Sequence, residues 1–123
     1  MKKVAVALII VASLWVSGCS RTKIIPLDQA NMNGVNFINS TATIAAGKPV
    51  KFIDSPDGAT HILVVGSNGI WLNNANAPKE INSSTGLTIA PGKEIDVVFM
   101  NPGTYTVTCT IHQSMLLTVT VTQ

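Results

Sequence analysis

The chain has 123 residues, with eight Lys and Arg, six Asp and Glu, and a mean hydropathy of +0.38. That is one domain's worth of polypeptide, too short for an α/β barrel or a two-domain enzyme. Charged residues make up 11%, well under the ~25% of ordinary soluble domains, and no block of like charge appears, which argues against both intrinsic disorder and a nucleic-acid-binding surface.

Lys2 and Lys3 precede an uncharged apolar run over residues 4–16, followed by Ser17-Gly18-Cys19. A basic start, a short apolar stretch and small residues before a cut site describe a secretory signal peptide over residues 1–18. The run falls short of the ~20 apolar residues that a membrane-spanning helix needs; a short anchor helix is the alternative. Removing this segment takes Lys2 and Lys3 with it and leaves six basic and six acidic residues. A mature chain of zero net charge is not steered toward polyanions.

Val16-Ser17-Gly18-Cys19 resembles a bacterial lipobox. The resemblance implies a diacylglyceryl group on the Cys19 sulfur, cleavage before it and acylation of the new amino terminus. Stable anchoring needs more than one acyl chain, which that processing provides. It implies a lipid-anchored protein of the cell envelope on the extracytoplasmic side. Ser20, standing where Asp signals inner-membrane retention, favours the outer membrane of a Gram-negative envelope, with the outer face of the cytoplasmic membrane otherwise. Residues 19–21 become a tether and residues 22–123 one domain. With Cys19 lipidated, Cys109 has no disulfide partner, and a lone thiol in an oxidising compartment is a liability unless buried or bound.

Beyond the tether no stretch carries a helical period, while two-residue alternation recurs. Ile24-Ile25 is expected to open a first strand. The segment 61–65, His-Ile-Leu-Val-Val, is short and almost wholly apolar, the mark of a central strand. Ser67 begins an Asn-rich stretch running to residue 84, with Trp71 inside it, which reads as a long irregular connection. Ile95, Val97 and Phe99 then alternate with Glu94, Asp96 and Val98. Tyr105, Val107 and Cys109 alternate with Thr104, Thr106 and Thr108, and Leu117, Val119 and Val121 with Thr118, Thr120 and Thr122. Each pattern predicts a strand with one buried face. Turn signals separate the runs at Ala46-Gly47-Lys48-Pro49, Pro56-Asp57-Gly58, Pro91-Gly92 and Asn101-Pro102-Gly103. Short strands with regular turns point to an all-β sandwich, mostly antiparallel with mixed strands.

Most catalytic arrangements are missing: there is no glycine-rich phosphate loop, no metalloprotease helix motif and no Ser in a nucleophile elbow. Cys109 and His112 stand too close in sequence for a thiol-protease pair, whose members come from separate parts of a larger fold. The chain is not expected to be an enzyme. One constellation stands out, Cys109-Thr110-Ile111-His112-Gln113-Ser114-Met115, a loop between two predicted strands that brings thiol, imidazole and thioether together. His61 opens a different strand and completes a set of four. Two imidazoles and a thiolate in a plane with a weak axial thioether form the donor set of a blue copper site. Singly, each residue has a bland reading: Met as core filler, Cys as a small hydrophobe, His as a satisfied core residue. Jointly, the chain's only two His, its unlipidated Cys and a Met fall where one metal collects them. A zinc site would rarely use Met.

The segment from Pro102 through Met115 resembles the carboxy-terminal signature of plastocyanin/azurin-like cupredoxins, and its two-residue gaps from Cys to His and His to Met are similar to the short ligand loop of amicyanins. Residues 44–52 resemble the family's turn before its ligand-bearing strand, and residues 87–94 its later hairpin. The resemblance implies a Greek-key β-sandwich and a single type 1 copper ion, with His61, Cys109 and His112 as equatorial ligands and Met115 as the axial one. Three positions depart from the family pattern: Ile62 stands where Asn braces the ligand loop, Gln113 where Pro is common, and Leu116-Leu117 where a Gly follows.

The resemblance further implies a monomeric carrier of single electrons between redox-protein donor and acceptor, with the His112 edge as electron port and Ile111, Leu116 and Leu117 as an apolar docking patch. A copper-delivery lipoprotein without redox turnover and a metal-free adhesion or assembly module are the alternatives.

Overall fold

A computed structural model describes residues 24–123; the expected signal peptide and the whole tether with Cys19 lie outside the described residues. Among the described residues there are nine strands and no helix. Strands β1 (Gln29–Met32), β3 (Lys48–Asp54) and β7 (Glu94–Phe99) form a three-stranded sheet in the order β1-β3-β7. Strands β2 (Thr41–Ala45), β9 (Leu116–Thr122), β8 (Gly103–Cys109), β4 (His61–Ser67) and β5 (Ile70–Trp71) follow one another in the second sheet, where β6 (Leu87–Ile89) also pairs with β4. β1 runs parallel to β3 and β2 parallel to β9, while the other pairs are antiparallel.

Alternation places the core. Val50, Phe52, Val97 and Phe99 project from the first sheet against Leu63, Val107, Leu117 and Val119 of the second, all of them at 0% exposure. The strand at 61–65 is central, as its unbroken apolar run predicts: Leu63 and Val64 point to opposite faces and both are buried. A strand in mid-sheet with both faces covered has no polar positions to alternate with.

Four sequence expectations are corrected. Ile24-Ile25 forms no strand; β1 starts at Gln29, after a turn closed by the Gln29 amide on the Pro26 carbonyl, and Ile24 is exposed. The stretch 67–84 is not wholly irregular. Asn68 and Gly69 both have positive φ, at 52° and 74°, and turn β4 tightly into β5; paired positive φ is what an Asn-Gly hairpin turn demands. Beyond β5 the chain is pinned by one amide. Asn82 Oδ1 accepts from Trp71 Nε1 and the Asn74 amide, at 3.1 Å each, while Nδ2 donates to Asn74 O. The segment 87–94 is not a hairpin either, because β6 pairs with β4 and β7 with β3, so the chain turns a corner between sheets there. Leu117 lies at 0% exposure in the core and belongs to no surface patch. It pairs with Val107 in the β8–β9 ladder, and a strand sends successive side chains to opposite faces, so Leu116 points out where Leu117 points in.

Candidate metal centre

His61 is the first residue of β4 and Cys109 the last of β8, and the antiparallel register sets Cys109 opposite Leu63. That puts both residues at one end of the second sheet. The loop 110–115 closes over this end, held by the Thr110 amide on Ile62 O at 2.9 Å and the Met115 amide on His112 O at 3.0 Å.

Three donor atoms, one each from His61, Cys109 and His112, lie within 4.8 Å of one another. His61 Nδ1 is 3.3 Å from His112 Nδ1, and His112 Nδ1 is 3.8 Å from Cys109 Sγ. The two rings meet edge-on, with centroids 5.0 Å apart and an interplanar angle of 64°. Donor separations of this size suit one shared ion, since metal–nitrogen and metal–sulfur bonds of ~2.0–2.3 Å hold neighbouring donors roughly 3.3–4 Å apart. His61, Cys109 and Met115 are buried at 0%, 0% and 1% exposure, and His112 is half-buried. Met115 sits at the end of the same loop, immediately before β9. Thiol, thioether and two imidazoles suit an ion that takes both soft and borderline ligands, and copper is the metal whose two oxidation states those donors divide between them.

The surroundings hold the imidazole of His61 in a defined state. Its Nε2–H donates to Asn33 O at 2.8 Å; a carbonyl only accepts, so a proton belongs on Nε2 and Nδ1 is turned inward toward the other donors. The His112 Nδ1 stands 3.3 Å away, a separation that a proton or a cation shared between the two nitrogens fits. Asp54 closes the outer side. Its Oδ1 is 3.6 Å from His61 Nε2, outside hydrogen-bond range, and neither carboxylate oxygen has a hydrogen-bond partner. Burial pushes the Asp54 carboxyl above its ordinary 3.8, with a charge on His61 acting in the opposite direction. Gly58 makes room for this carboxylate, because a Cβ there would collide with Asp54 Oδ1. On the inner side the Ile62 amide donates to Cys109 Sγ at 3.4 Å. That bond uses backbone alone, so the apolar side chain at 62 does not forfeit it.

All four donors read from the sequence lie at this pole, as do Ile111 and Leu116, both about half exposed. Sequence reasoning missed Asn33, Asp54 and Thr108. Asp54 had a signal, as it follows Val50 and Phe52 on the inward face of β3, where a carboxylate needs a reason. Asn33 acts through its carbonyl, which side-chain identity does not reveal.

A family model described as copper binding proteins, plastocyanin/azurin family, matches residues 26–122. Among solved structures the chain is similar to amicyanin from Paracoccus versutus (Thiobacillus versutus), with 17% identity over 76% of this chain and 78% of that one and a TM-score of 0.54. It is also similar to a novel purple cupredoxin from Nitrosopumilus maritimus, with 19% identity over 76% and 98% of the two chains and a TM-score of 0.57. A copper-containing nitrite reductase from Thermus scotoductus SA-01 is 21% identical over 80% of this chain but only 23% of its own, with a TM-score of 0.56. At these identities the likeness establishes the fold. The comparison with curated proteins returns no match.

Proposed function

Because the chain belongs to the plastocyanin/azurin family of copper-binding proteins, we propose that it is a lipid-anchored carrier of single electrons between a redox donor and a redox acceptor outside the cytoplasm. It is a cupredoxin-like protein whose His61, Cys109, His112 and Met115 fit one type 1 copper ion. When bound there, copper supplies a one-electron couple whose reduced form the sulfurs favour and whose oxidised form the imidazoles accept.

The residues of the chain divide the remaining work. β4 and β8 carry His61 and Cys109 on paired backbone, which holds both donors in place across a change of charge. Asn33 O fixes the His61 ring, and the Ile62 amide draws charge from the thiol sulfur. Burial of His61, Cys109 and Met115 keeps water from those donors, so little solvent has to reorganise when charge changes. His112 alone of the four reaches the surface, and its exposed ring edge is the proposed electron port. Ile111 and Leu116 flank it and form a small apolar patch suited to brief encounters. With zero net charge on the mature chain, docking depends little on salt. We place the protein on its membrane through Cys19, as a monomer.

The observation that carries this reading is the convergence of three donors from two strands and a loop within 4.8 Å, with one ring left at the surface. Cu(II) added to the pure protein is expected to give an intense thiolate-to-copper band that bleaches on reduction and returns on reoxidation with copper retained. Loss of the metal on reduction supports copper delivery instead, and a colourless protein supports an assembly module. Cys19→Ser is expected to move the protein from the membrane fraction to the soluble fraction; no change there refutes the lipid anchor and leaves the copper reading intact.

A further inference from the structure

Alternation along β8 sends Tyr105, Val107 and Cys109 to the inner face of the sheet and Thr104, Thr106 and Thr108 to the outer one. Thr104 is exposed and Thr106 half-buried, but Thr108, next to the ligand Cys109, is at 0% exposure. A hydroxyl in that position must find partners inside the protein. It finds two, and both belong to the surroundings of the ligand loop. Thr108 Oγ1 donates to the carbonyl of Met115 at 2.8 Å and accepts the Gly69 amide at 3.0 Å. Its single proton and one lone pair are thereby used on two segments that lie just beyond the ladder pairs of β8, the β4–β5 turn and the end of the ligand loop.

Gly69 is part of the same device. Its φ of +74° is one that L side chains rarely adopt, and a Cβ there would stand 2.6 Å from Gln113 Cγ and 3.3 Å from Cys109 O. The tight Asn68-Gly69 turn thus lies directly against the ligand loop, and only glycine lets it approach so closely. On the other side, Ile62 offers the loop no polar side chain, only its amide and carbonyl.

We propose that Thr108 is a positioning residue for the metal centre: its hydroxyl ties the Met115 carbonyl to the Asn68-Gly69 turn and so sets where the Met115 thioether stands relative to His61, Cys109 and His112. The inference rests on the copper reading above. It assigns the side-chain bracing of the ligand loop to Thr108 and the β4–β5 turn.

The test compares wild type with Thr108→Val, Thr108→Ser and Gly69→Ala. Amide exchange in the metal-free proteins comes first, read at Thr110 and Met115, whose amides hydrogen-bond within the loop closure. Thr108→Val is expected to speed exchange at those two amides roughly tenfold, the effect of losing one buried hydrogen bond, while core amides such as those of Val97 and Val119 keep their wild-type rates. Loaded with copper alone, Thr108→Val should show a displaced thiolate-to-copper band and a shifted reduction potential. Thr108→Ser, which restores the hydroxyl, should show neither change. Exchange that rises uniformly across the domain, with band and potential unmoved, overturns the proposal and leaves Thr108 a satisfied core residue. If Thr108→Val does not fold, Gly69→Ala decides: it keeps the hydroxyl but drives the turn into Gln113, and a wild-type band and potential in that variant also overturn the proposal. If wild type takes up no copper, the copper reading fails by itself, and loop exchange in the metal-free variants decides the brace, loop-selective speeding supporting it and uniform or absent change overturning it.

Discussion

The four donors are supplied by two regions built on different principles. His61 stands on a central strand, where β6 and β8 pair on either side and Asn33 and Asp54 close over the outer edge of its ring. His112 and Met115 ride on a short loop whose own backbone gives it one internal bond, from the Met115 amide to His112 O. The strand donor is located by sheet register, which one mutation cannot slip without turning a whole strand inside out. The loop donors have no ladder and are located by contacts from elsewhere: the Ile62 carbonyl, the Thr108 hydroxyl and the close-packed Gly69. The difference teaches that a rigid donor set can be made from one rigid region and one braced region. The two should therefore fail in different ways.

The largest expected effect comes from Cys109, which joins the regions as the last strand residue before the loop. Cys109→Ala should abolish the visible thiolate-to-copper band outright, and a variant that keeps its colour breaks the assignment. Next is His61. His61→Ala should weaken Cu(II) affinity by more than ~100-fold, beyond the 10–100-fold typical of losing an outer partner. Equal affinities in His61→Ala and wild type, measured by competition with a chelator, mean that the strand region does not bind metal.

Adjacent leucines sharpen the boundary between ladder and loop. Leu117→Ala removes a fully buried side chain and should cost about 2–5 kcal/mol in denaturant unfolding. Leu116→Ala, on the exposed side of the same strand, should stay within about 0.5 kcal/mol; similar costs for both contradict the register. Met115→Leu, which nearly conserves volume, should lower Cu(II) affinity less than tenfold while moving the reduction potential, because a weak axial donor tunes more than it binds. An unmoved potential removes Met115 from the donor set.

The smallest effect belongs to Asp54. Burial holds its folded-state value above the unfolded 3.8, so between those two values the folded chain keeps a proton that the unfolded chain releases. Its contribution is therefore fullest below 3.8 and declines as pH rises through the folded value. Asp54→Asn removes that decline, and the metal-free variant should gain on wild type in denaturant midpoint as pH rises above 3.8. A difference that does not vary with pH shows that Asp54 ionises equally in both states.

The alternating strands at 94–99, 103–109 and 116–122 were legible because one face of each meets the core, and burial writes a two-residue period into the chain. The donors were legible because copper chemistry restricts which residue types can serve. What escaped has physical reasons as well. Ile24-Ile25 has the composition of a strand but no neighbouring strand with which to pair. Thr108 follows the polar half of its alternation, and only the chain folding back after β4 turns its outward face into an interior one. The Asn68-Gly69 turn did carry a local signal, masked by the Asn-rich segment around it.

By itself the sequence determined the strand periods, the residues whose chemistry fits a copper site and the family to which the chain belongs. These follow from residue chemistry and short spacings, which survive without knowledge of what lies across the sheet. The tertiary structure alone decided that His61, 48 residues before Cys109 in the chain, faces the same ion site, and that a carbonyl, a buried carboxylate and a threonine hydroxyl surround it. Such contacts are set by how strands order and how a loop packs, and no local pattern encodes a distance between segments remote in sequence.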